Sequence, residues 1–432
     1  MLFEGPILTA EEMRSAEQAV ISAGTSAETL MERAGAAAAE AIRIYAGPMR
    51  TLILCGPGNN GADGHVVARL LRERGVEVEV AGLDGLSEAK PAPLLVDALF
   101  GTGLNRGLDA STVQALGRLA ASASVRVALD LPSGVSTDDG ACLSPIPFYD
   151  LTIAFGAAKP AHFLQPAARH MGRLVIAGIG IPVESRLQRL GRPDMAAPGP
   201  DDHKYSRGYV AIVAGEMPGA AALAANAAAR AGAGYVRLIA KDRIPGVLQS
   251  VVQSRGDRNA LLDDDRIGAL LVGPGLGRGK DANALLQQVL ALDHPLIVDG
   301  DALRLLENTM LATKQMLILT PHAGEFVHLF GTLSGSKVDQ ARSAASASHS
   351  VIVFKGPDTV IAAPDGRAAL APAAPHWLAS AGTGDVLAGI IAALRARGQE
   401  AFEAACAGVW LHGRAAERAG PGLVADDLAK FL

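Results

Sequence analysis

The sequence has few aromatic residues, few cysteines and no long apolar run, and each scarcity excludes a class of protein. Aromatic side chains make up 4% of the 432 residues and hydrophobic side chains 49%, so large cores must be built from Ala, Val, Leu and Ile. The three cysteines, Cys55, Cys142 and Cys406, are far apart and follow no metal-binding spacing. We expect buried free thiols in a reducing compartment.

Signals for export and for membrane insertion are also lacking. The N-terminus, Met1–Pro6, has no basic stretch followed by an apolar run, which argues against a secretory signal. No window holds the ~18 uninterrupted apolar residues of a membrane-spanning helix. The net charge is −5 without a basic stripe, which disfavours nucleic acid as a partner. The sequence therefore predicts a soluble cytoplasmic protein that binds neither membranes nor nucleic acid.

The length and one proline-rich segment indicate two domains. At roughly 100–200 residues per domain, the chain is too long for a single ordinary core. Gly191–Asp202 contains three prolines, which disfavour both helix and strand. We predict a first domain over residues 1–192, a linker over 193–202 and a second domain over 203–432. The two halves show no internal repeat.

Short apolar runs alternate with amphipathic stretches in both halves, which predicts α/β domains with mostly parallel sheets and helices on both faces. The first half opens with helices predicted over Ala10–Ala23 and Ser26–Tyr45. The predicted strands of the first half are Thr51–Cys55, Val76–Ala81, Leu94–Ala98, Val125–Leu131, Leu151–Phe155 and Leu174–Ile176. Those of the second half are Tyr209–Ala214, Tyr235–Ala240, Ala269–Val272, Leu296–Val298, Leu317–Thr320, Val351–Phe354 and Thr359–Ala362, with helices over Ala220–Ala231, Ala282–Leu292, Gly384–Arg397 and Ala401–Ala419.

A glycine-rich turn follows the first buried strand. Gly56–Gly64 reads GPGNNGADG and leads into a helix predicted over His65–Arg74. Glycines at the carboxyl end of a parallel strand let the backbone approach a ligand, and a helix N-terminus offers free N–H groups. The spacing is not GxGxxG followed by a ribose-binding acid, so an ordinary dinucleotide dehydrogenase is disfavoured. An Asn pair and an Asp are more polar than a plain turn requires.

Two further strands of the first half end in carboxylates beside glycine-rich turns. One ends in Asp97 and continues as ALFGTGL, and another ends in Asp130 and continues as LPSG. Asn60, Asp97 and Ser133 offer hard oxygen ligands suited to K⁺ or Mg²⁺. Asp130 is a candidate general base. Each of these residues alone is also a common cap or turn residue.

These motifs, together with Phe155–Lys159 (FGAAK), closely resemble the NAD(P)H-hydrate epimerases, which interconvert the R and S forms of NADH hydrate and NADPH hydrate. The resemblance implies a Rossmann-like domain, a K⁺ ion held by Asn60, Asp97 and Ser133, and Asp130 at the reacting end. Lys159 is a candidate electrostatic partner or else a surface lysine. Ala62 departs from the family, which usually has glycine there; we expect a slightly narrower turn without loss of activity. The implied substrate-binding residues are Asn59, Asn60, Gly61, Ala62, Asp63, Gly101, Thr102, Gly103, Leu104, Asn105, Arg106, Gly107 and Asp130.

The second half carries Gly382-Thr383-Gly384-Asp385 directly before a helix. Successive N–H groups at a helix N-terminus form an anion hole, and an Asp there can take a proton from an attacking hydroxyl. Three further segments support this reading: VGPGLG from Val272 and TPHAGE from Thr320 end strands, and FKGPDT from Phe354 begins a strand that could flank an adenine nucleotide. Asp299 and Asp301 add carboxylates able to assist a Mg²⁺ ion. The alternative is an ordinary glycine cap.

These second-half motifs resemble the ADP- or ATP-dependent NAD(P)H-hydrate dehydratases, which have a ribokinase-like fold. The resemblance implies Asp385 as the catalytic base, hydrate contacts at Ala220, Gly275, His322 and Asp385, and nucleotide contacts at Lys355, Gly356, Pro357, Asp358, Thr359 and Gly384. Bacterial members generally use ADP, giving AMP. The loop Ala214–Pro218 is short and lacks the serine-rich turn often found there, so substrate contacts there are expected to differ.

Fused in this order, the two resemblances imply a bifunctional enzyme that repairs hydrated nicotinamide cofactors. Both families commonly assemble, which implies a homo-oligomer. One alternative is a kinase of a small alcohol with a regulatory first domain. A second is a binding module in which the first half senses a nucleotide.

Overall fold

In a computed structural model that describes residues 1–307 and 317–432, the chain forms two compact α/β units. One contains Gly5–Leu187, and the other contains Met1–Glu4 with Gln188–Leu432. The predicted fold class, two α/β domains with layered parallel sheets, is confirmed. The units divide slightly before the predicted end of the first domain at residue 192, and residues 191–199 contain no helix or strand.

The strands alternate with helices in both units. In chain order the strands are β1 (Phe3–Pro6), β2 (Thr51–Cys55), β3 (Val78–Ala81), β4 (Leu94–Ala98), β5 (Val125–Leu129), β6 (Leu151–Phe155), β7 (Arg173–Ala177), β8 (Leu187–Leu190), β9 (Tyr209–Val213), β10 (Tyr235–Ile239), β11 (Val252–Ser254), β12 (Ala269–Val272), β13 (Leu296–Val298), β14 (Ile318–Leu319), β15 (Val351–Phe354), β16 (Val360–Ala362) and β17 (Ala368–Leu370). The helices are α1 (Ala10–Ser22), α2 (Ala27–Ala46), α3 (Asn59–Glu73), α4 (Ala110–Ser122), α5 (Pro218–Arg230), α6 (Arg258–Leu262), α7 (Lys280–Leu290), α8 (Asp301–Leu305), α9 (Ala323–Phe330), α10 (Lys337–Ser348), α11 (Thr383–Ala396), α12 (Ala401–Ala419) and α13 (Ala425–Leu428).

The smaller unit has a six-stranded parallel sheet in the order β3-β2-β4-β5-β6-β7. Both faces of β2 are buried: Ile53 packs in a core with α2 and α3, and Leu52 in a second core with α4. Burial on both faces explains why the strand is continuously apolar. The order reverses between β2 and β4, and parallel α/β sheets bind ligands at such a switch point.

The larger unit has an eleven-stranded sheet in the order β1-β8-β17-β16-β15-β14-β13-β12-β9-β10-β11. Its strands from β11 to β15 are parallel, whereas β15, β16 and β17 pair antiparallel. The order reverses between β9 and β12, which creates a second switch point. The central helix α11 is buried along most of its length and packs on α5 through small residues. A Cβ at Gly389 would lie 2.2 Å from the Ala224 carbonyl oxygen, so only glycine allows this approach.

Several elements were not predicted from the sequence. The strands β1, β8, β11 and β17, of which β1 and β11 form the two edges of the sheet, are only three or four residues long, and β1 pairs with β8, far along the chain. The aliphatic core was predicted correctly: Ala, Val, Leu and Ile dominate the buried set. Cys55 and Cys406 are buried free thiols and Cys142 is half-buried. No helix in the described residues is long and apolar enough to span a membrane.

Candidate active sites

The first site lies at the switch point between β2 and β4. The turn after β2 begins at Gly56, where a Cβ would lie 1.8 Å from the Leu99 carbonyl oxygen of the neighbouring turn. Helix α3 then starts at Asn59, with Gly58 at the cap position. The predicted start at His65 was therefore wrong. The whole NNGAD segment is helical, and its first-turn N–H groups face the switch point.

Two polar side chains meet beside Gly101. A Cβ at Gly101 would lie 2.9 Å from Asp130 Oδ2 and 3.2 Å from Asn60 Cγ. Asn60 Nδ2 donates to the Leu129 carbonyl oxygen (3.2 Å), while Asn60 Oδ1 is buried without a hydrogen-bond partner. A buried amide oxygen without a donor is costly unless a ligand or an ion satisfies it.

Asp130 and Lys159 form a buried ion pair in this pocket. Lys159 Nζ donates to Asp130 Oδ1 (2.6 Å) and to the Phe155 carbonyl oxygen (2.8 Å), and the Lys159 side chain is 1% exposed. Asp130 Oδ2 accepts from both the backbone N–H and the hydroxyl of Thr102. Burial alone would raise the pKa of Asp130, but Lys159 and Thr102 lower it below its usual value. Lys159 is therefore not a surface lysine but the electrostatic partner of Asp130.

The backbone of Asp130 has φ +60°, in the left-handed region that non-glycine residues rarely adopt. His162, which sequence reasoning missed, supports it. His162 Nδ1 accepts from the Lys159 backbone N–H (2.8 Å), so Nε2 donates to the Asp130 carbonyl oxygen (2.8 Å). Burial and the charge of Lys159 lower the pKa of His162 to about 4, which keeps the ring neutral. The sequence feature that could have identified His162 is its position three residues after Lys159, the last residue of the FGAAK motif.

Asp97 and Ser133 lie together at the ends of β4 and β5. Ser133 Oγ donates to Asp97 Oδ1 (2.6 Å) and Ser133 N to Oδ2 (2.9 Å). The Leu99 N–H and the Tyr149 hydroxyl also donate to this fully buried carboxylate. Among the described residues no Lys or Arg contacts Asp97. A buried carboxylate without a cationic partner on β4, and the unpaired amide oxygen of Asn60 after the adjacent strand β2, fit a bound cation such as K⁺.

Asn60, Thr102, Asp130 and Lys159 line a cavity of about 530 Å³, whereas the predicted metal ligands Asp97 and Ser133 lie outside its lining. Asp63, buried on α3, and the half-buried Glu17 on α1 also line it. Burial and the charges of Asp130 and Glu17 raise the pKa of Asp63 to about 8. The predicted residues that line it are Asn59, Asn60, Asp63, Gly101, Thr102, Gly103, Leu104, Asn105, Arg106 and Asp130.

Three predicted substrate-binding residues lie outside the lining of this cavity. A Cβ at Gly61 would lie 1.9 Å from the Gly56 carbonyl oxygen, and one at Gly107 would lie 2.8 Å from that of Leu143. These glycines allow close backbone packing. Ala62 lies within α3, so its methyl group does not narrow a turn.

The second site surrounds the start of α11. Gly382 caps this helix with φ +86°, and Asp385 lies in its first turn. Burial and the negative charge of Asp299 raise the pKa of Asp385 to about 7, against the lowering effect of Lys355. Asp385 is thus half ionised near neutral pH, which suits a general base.

Lys355 connects this helix start to the strand ends. Its Nζ donates to Asp299 Oδ1 (2.7 Å), which also accepts from the Thr320 hydroxyl (2.6 Å). Burial alone would lower the pKa of Lys355, but the ion pair with Asp299 raises it. A Cβ at Gly384 would lie 3.4 Å from Lys355 Nζ. The lysine and the anion hole of α11 therefore face the same space.

A cavity of about 420 Å³ adjoins these groups. Five of the six predicted nucleotide contacts line it: Lys355, Gly356, Pro357, Thr359 and Gly384. The sixth, Asp358, turns its carboxylate to Lys337 on α10 and does not line the cavity. Trp410 and Arg414 on α12 form part of the wall and were not predicted. Both residues lie on α12, and the sequence pattern of that helix did not indicate that one of its faces lines a binding site.

The predicted hydrate contacts occupy neighbouring strand ends. Gly275 has φ +59°, and a Cβ there would lie 2.1 Å from the Met217 carbonyl oxygen in the short loop after β9. Ala220 is half-buried in the first turn of α5. His322 caps α9, where Nδ1 accepts from the N–H groups of Gly324 and Glu325. The structure thus gives His322 a capping role and leaves its Nε2 near Glu325 Oε1 (3.4 Å).

The buried His412 was also missed. Its Nε2 lies 2.9 Å from the Thr383 carbonyl oxygen at the start of α11. Burial lowers the pKa of His412 to about 4, so the ring is neutral and its Nε2 donates.

Among the described residues no group of three His, Cys, Asp or Glu side chains is arranged to hold a metal ion. Both carboxylate oxygens of Asp301 already accept hydrogen bonds, one from the Arg278 side chain and one from the Gly277 N–H. Asp299 Oδ2 is therefore the better candidate ligand for Mg²⁺.

Both halves of the chain match known families. A family model described as NAD(P)H-hydrate dehydratase matches residues 210–429, and one described as YjeF-related protein N-terminus matches residues 27–90 and 83–161. A bifunctional NAD(P)H-hydrate repair enzyme from Thermanaerovibrio acidaminovorans is 36% identical, over 94% of this chain and 93% of that protein. One from Coxiella burnetii is 33% identical over 98% and 97%. A solved structure of the ADP/ATP-dependent NAD(P)H-hydrate dehydratase from Bacillus subtilis, co-crystallised with ATP and Mg²⁺, is 31% identical and covers 55% of this chain and 91% of that one, with a TM-score of 0.48.

Proposed function

The chain belongs to the family of bifunctional NAD(P)H-hydrate repair enzymes, and we propose that it epimerises R and S NAD(P)H hydrate in the unit Gly5–Leu187 and dehydrates the S form with ADP in the unit that contains Gln188–Leu432. The observation that carries the proposal is the presence of two pockets with differently tuned carboxylates. One is lined by Asp130, paired with Lys159, and by Asp63, whose pKa is about 8; the other is lined by Gly384 and Lys355, directly beside Asp385, whose pKa is about 7.

The first pocket supplies one carboxylate that is ionised and one that is protonated near neutral pH. The hydrate carries its hydroxyl on C6, next to the ring nitrogen. Protonated Asp63 gives its proton to this hydroxyl as the C6–O bond breaks, and the nitrogen lone pair stabilises the cation. Water then adds to the other face of C6 while a carboxylate, Asp130 in our assignment, takes its proton. Two carboxyl groups with separated pKa values are a common arrangement for such proton transfer.

A K⁺ ion would be held by Asn60 Oδ1 and the Asp97 carboxylate beside Ser133. It would supply positive charge that offsets the buried carboxylate and would order the Leu99–Gly101 turn. Tyr149 and the backbone N–H groups hold the carboxylate in place.

In the second pocket Asp385 takes the proton of the C6 hydroxyl as that oxygen attacks the β-phosphorus of ADP, and AMP leaves. The N–H groups at the start of α11 and Lys355 stabilise the charge of the transferred phosphoryl group. Phosphate then leaves from C6, a proton leaves C5, and the C5=C6 bond of NAD(P)H is restored. Mg²⁺ would be held by Asp299 and by the nucleotide phosphates, whose charge it neutralises.

The nucleotide lies, in this proposal, in the cavity between Lys355–Thr359 and α12. The chain contains two tryptophans, and Trp410 is in the wall of this cavity. Addition of ADP should change the fluorescence of the wild type and of W377F, because both keep Trp410. W410F should lose this response. An unchanged response in W410F would contradict this placement of the nucleotide.

Asp385→Asn tests the assignment of the base. It should abolish ADP-dependent recovery of NADH absorbance from S hydrate and leave epimerisation intact. Asp365→Asn, at an exposed site of the same unit, is the matched control and should behave as wild type. Near-normal recovery in Asp385→Asn would overturn the assignment.

We further propose a cytoplasmic homo-oligomer, on the basis of the family resemblance.

A further inference from the structure

Two arginines converge on a polar pocket at the far edge of the larger sheet. The pocket has a volume of about 290 Å³, and Arg243, Arg255, Gln249 and Gln253 contribute its polar side chains. Arg243 follows the end of β10 and Arg255 directly follows β11. β10 and β11 are parallel, so both arginines lie at the carboxyl edge of the sheet. The glycine turns after β9 and β12 and the start of α11 lie at this same edge.

Hydrogen bonds tie together the two chain segments that carry these exposed arginines. The Gln253 amide accepts from the Ile244 backbone N–H (2.8 Å) and donates to the Ile244 carbonyl oxygen (3.0 Å). Ile244 directly follows Arg243, and Gln253 precedes Arg255 by two residues. The loop is also tied to α5, because Asn226 donates to the Gly246 carbonyl oxygen (3.1 Å) and accepts from Leu248 N (2.9 Å).

No acidic side chain within residues 1–307 or 317–432 forms an ion pair with Arg243 or Arg255. Two like charges held together without an acid repel each other, and a bound anion removes this cost. Two guanidinium groups lining one pocket, with the Gln249 amide beside them, supply the donors that a phosphate group requires.

We propose that Arg243 and Arg255 bind a phosphate group of the NAD(P)H hydrate, in the part of the dinucleotide remote from the nicotinamide ring. This rests on the proposed dehydratase function of the same unit. β11 lies two strands beyond β9, about 10 Å from the switch point at a strand spacing of about 4.8 Å. A dinucleotide whose nicotinamide lies near Asp385 extends along the sheet edge toward this pocket.

The kinetic test uses R243Q/R255Q in the full-length protein and compares NADH hydrate with NADPH hydrate as the substrate. The KM for dehydration of NADPH hydrate should rise about ten-fold or more, because a hydrogen bond to a charged group is lost, while kcat stays at the wild-type value. A rise confined to NADPH hydrate assigns the pocket to the 2′-phosphate. An equal rise for NADH hydrate assigns it to the pyrophosphate.

Arg230→Gln is the matched control. Arg230 is exposed in the last turn of α5, at the opposite edge of the same sheet, and its loss should leave both KM values unchanged. If R243Q/R255Q matches this control with both hydrates, the phosphate pocket is wrong. Loss of kcat with unchanged KM would also overturn it.

A binding measurement separates failure of this pocket from failure of the proposed function. Calorimetry with adenosine 2′,5′-bisphosphate, in the presence of saturating ADP, should detect one site in the wild type and in Arg230→Gln. R243Q/R255Q should lack it. No such site in the wild type would overturn the pocket, even if dehydration is observed. Binding without any dehydration would instead contradict the proposed function.

Discussion

At the scale of single residues, both proposed reactions depend on carboxylates whose ionisation is set by specific neighbouring side chains. Their types and chain positions were predictable, because Asp130 and Asp385 stand at strand or helix ends beside glycines. Of their electrostatic partners, only Lys159 was a candidate, as one of two alternatives; His162 and the pairing of Lys355 with Asp299 were not predicted. Lys159 and His162 come from the segment after β6, and Lys355 comes from the end of β15, so only the folded sheet brings them to the carboxylates.

Dehydration should depend on pH through Asp385. The raised pKa of about 7 means that the ionised base is lost as the pH falls below 7, so kcat/KM should fall about ten-fold per pH unit well below that value. Asp301→Asn removes a nearby negative charge that raises this pKa, so the acidic limb should move to lower pH. The measurement is kcat/KM against pH for both proteins. A limb that stays in place in Asp301→Asn would contradict this electrostatic assignment.

Lys159→Met should both unfold the smaller unit more easily and stop epimerisation. Removal of one partner of a buried ion pair costs about 3–5 kcal/mol, because the remaining charge is left uncompensated. Denaturant unfolding and the rate of R-to-S exchange are the two measurements. Asp130→Asn/Lys159→Met should regain much of the stability but no activity, since the lone charge is gone. Wild-type stability in Lys159→Met would count against an ionised Asp130.

At the scale of elements, the strand–turn–helix units that carry the sites were predictable because buried strands and glycine turns have strong local signals. The start of α3 was misplaced by six residues, from Asn59 to His65, because the two asparagines and two glycines of residues 59–64 disfavour helix locally. Close packing of the turns after β2 and β4 overrides this preference. Short strands such as β1 and β8 lacked a signal because they pair with each other across most of the first half of the chain.

Ala62→Gly tests the helical placement of residue 62. Within α3, glycine should lower the free energy of unfolding by about 0.8–1 kcal/mol relative to alanine, with no effect on epimerisation, because Ala62 does not line the pocket. Denaturant unfolding and the epimerase rate are the readouts. Gly101→Ala is the contrasting variant: its Cβ would meet Asp130 Oδ2 at 2.9 Å, so epimerisation should fall sharply. Greater stability in Ala62→Gly would contradict the helical placement.

At the scale of the whole molecule, the chain consists of two α/β units, each with its own switch point and its own pocket. The units divide just before the proline-rich segment that begins at Gly191, and residues 1–4 group with the larger unit. The site residues of each unit come from that unit alone.

Independent sites should complement each other in trans. Asp130→Asn should stop epimerisation but retain dehydration of S hydrate, and Asp385→Asn should do the reverse. A mixture of the two variants should convert both forms fully when ADP is present. Failure of the mixture, with each variant retaining its own activity, would show that the two steps require one chain.

The most direct measurement is incubation of the wild-type protein with mixed R and S NADH hydrate, with and without ADP, followed by separation of R hydrate, S hydrate and NADH. With ADP, both forms should become NADH, and one AMP should appear for each NADH. Without ADP, isolated S hydrate should return to the R and S mixture and no NADH should form. A stable phosphorylated product without NADH, or an R-to-S ratio that the protein leaves unchanged, would contradict the account.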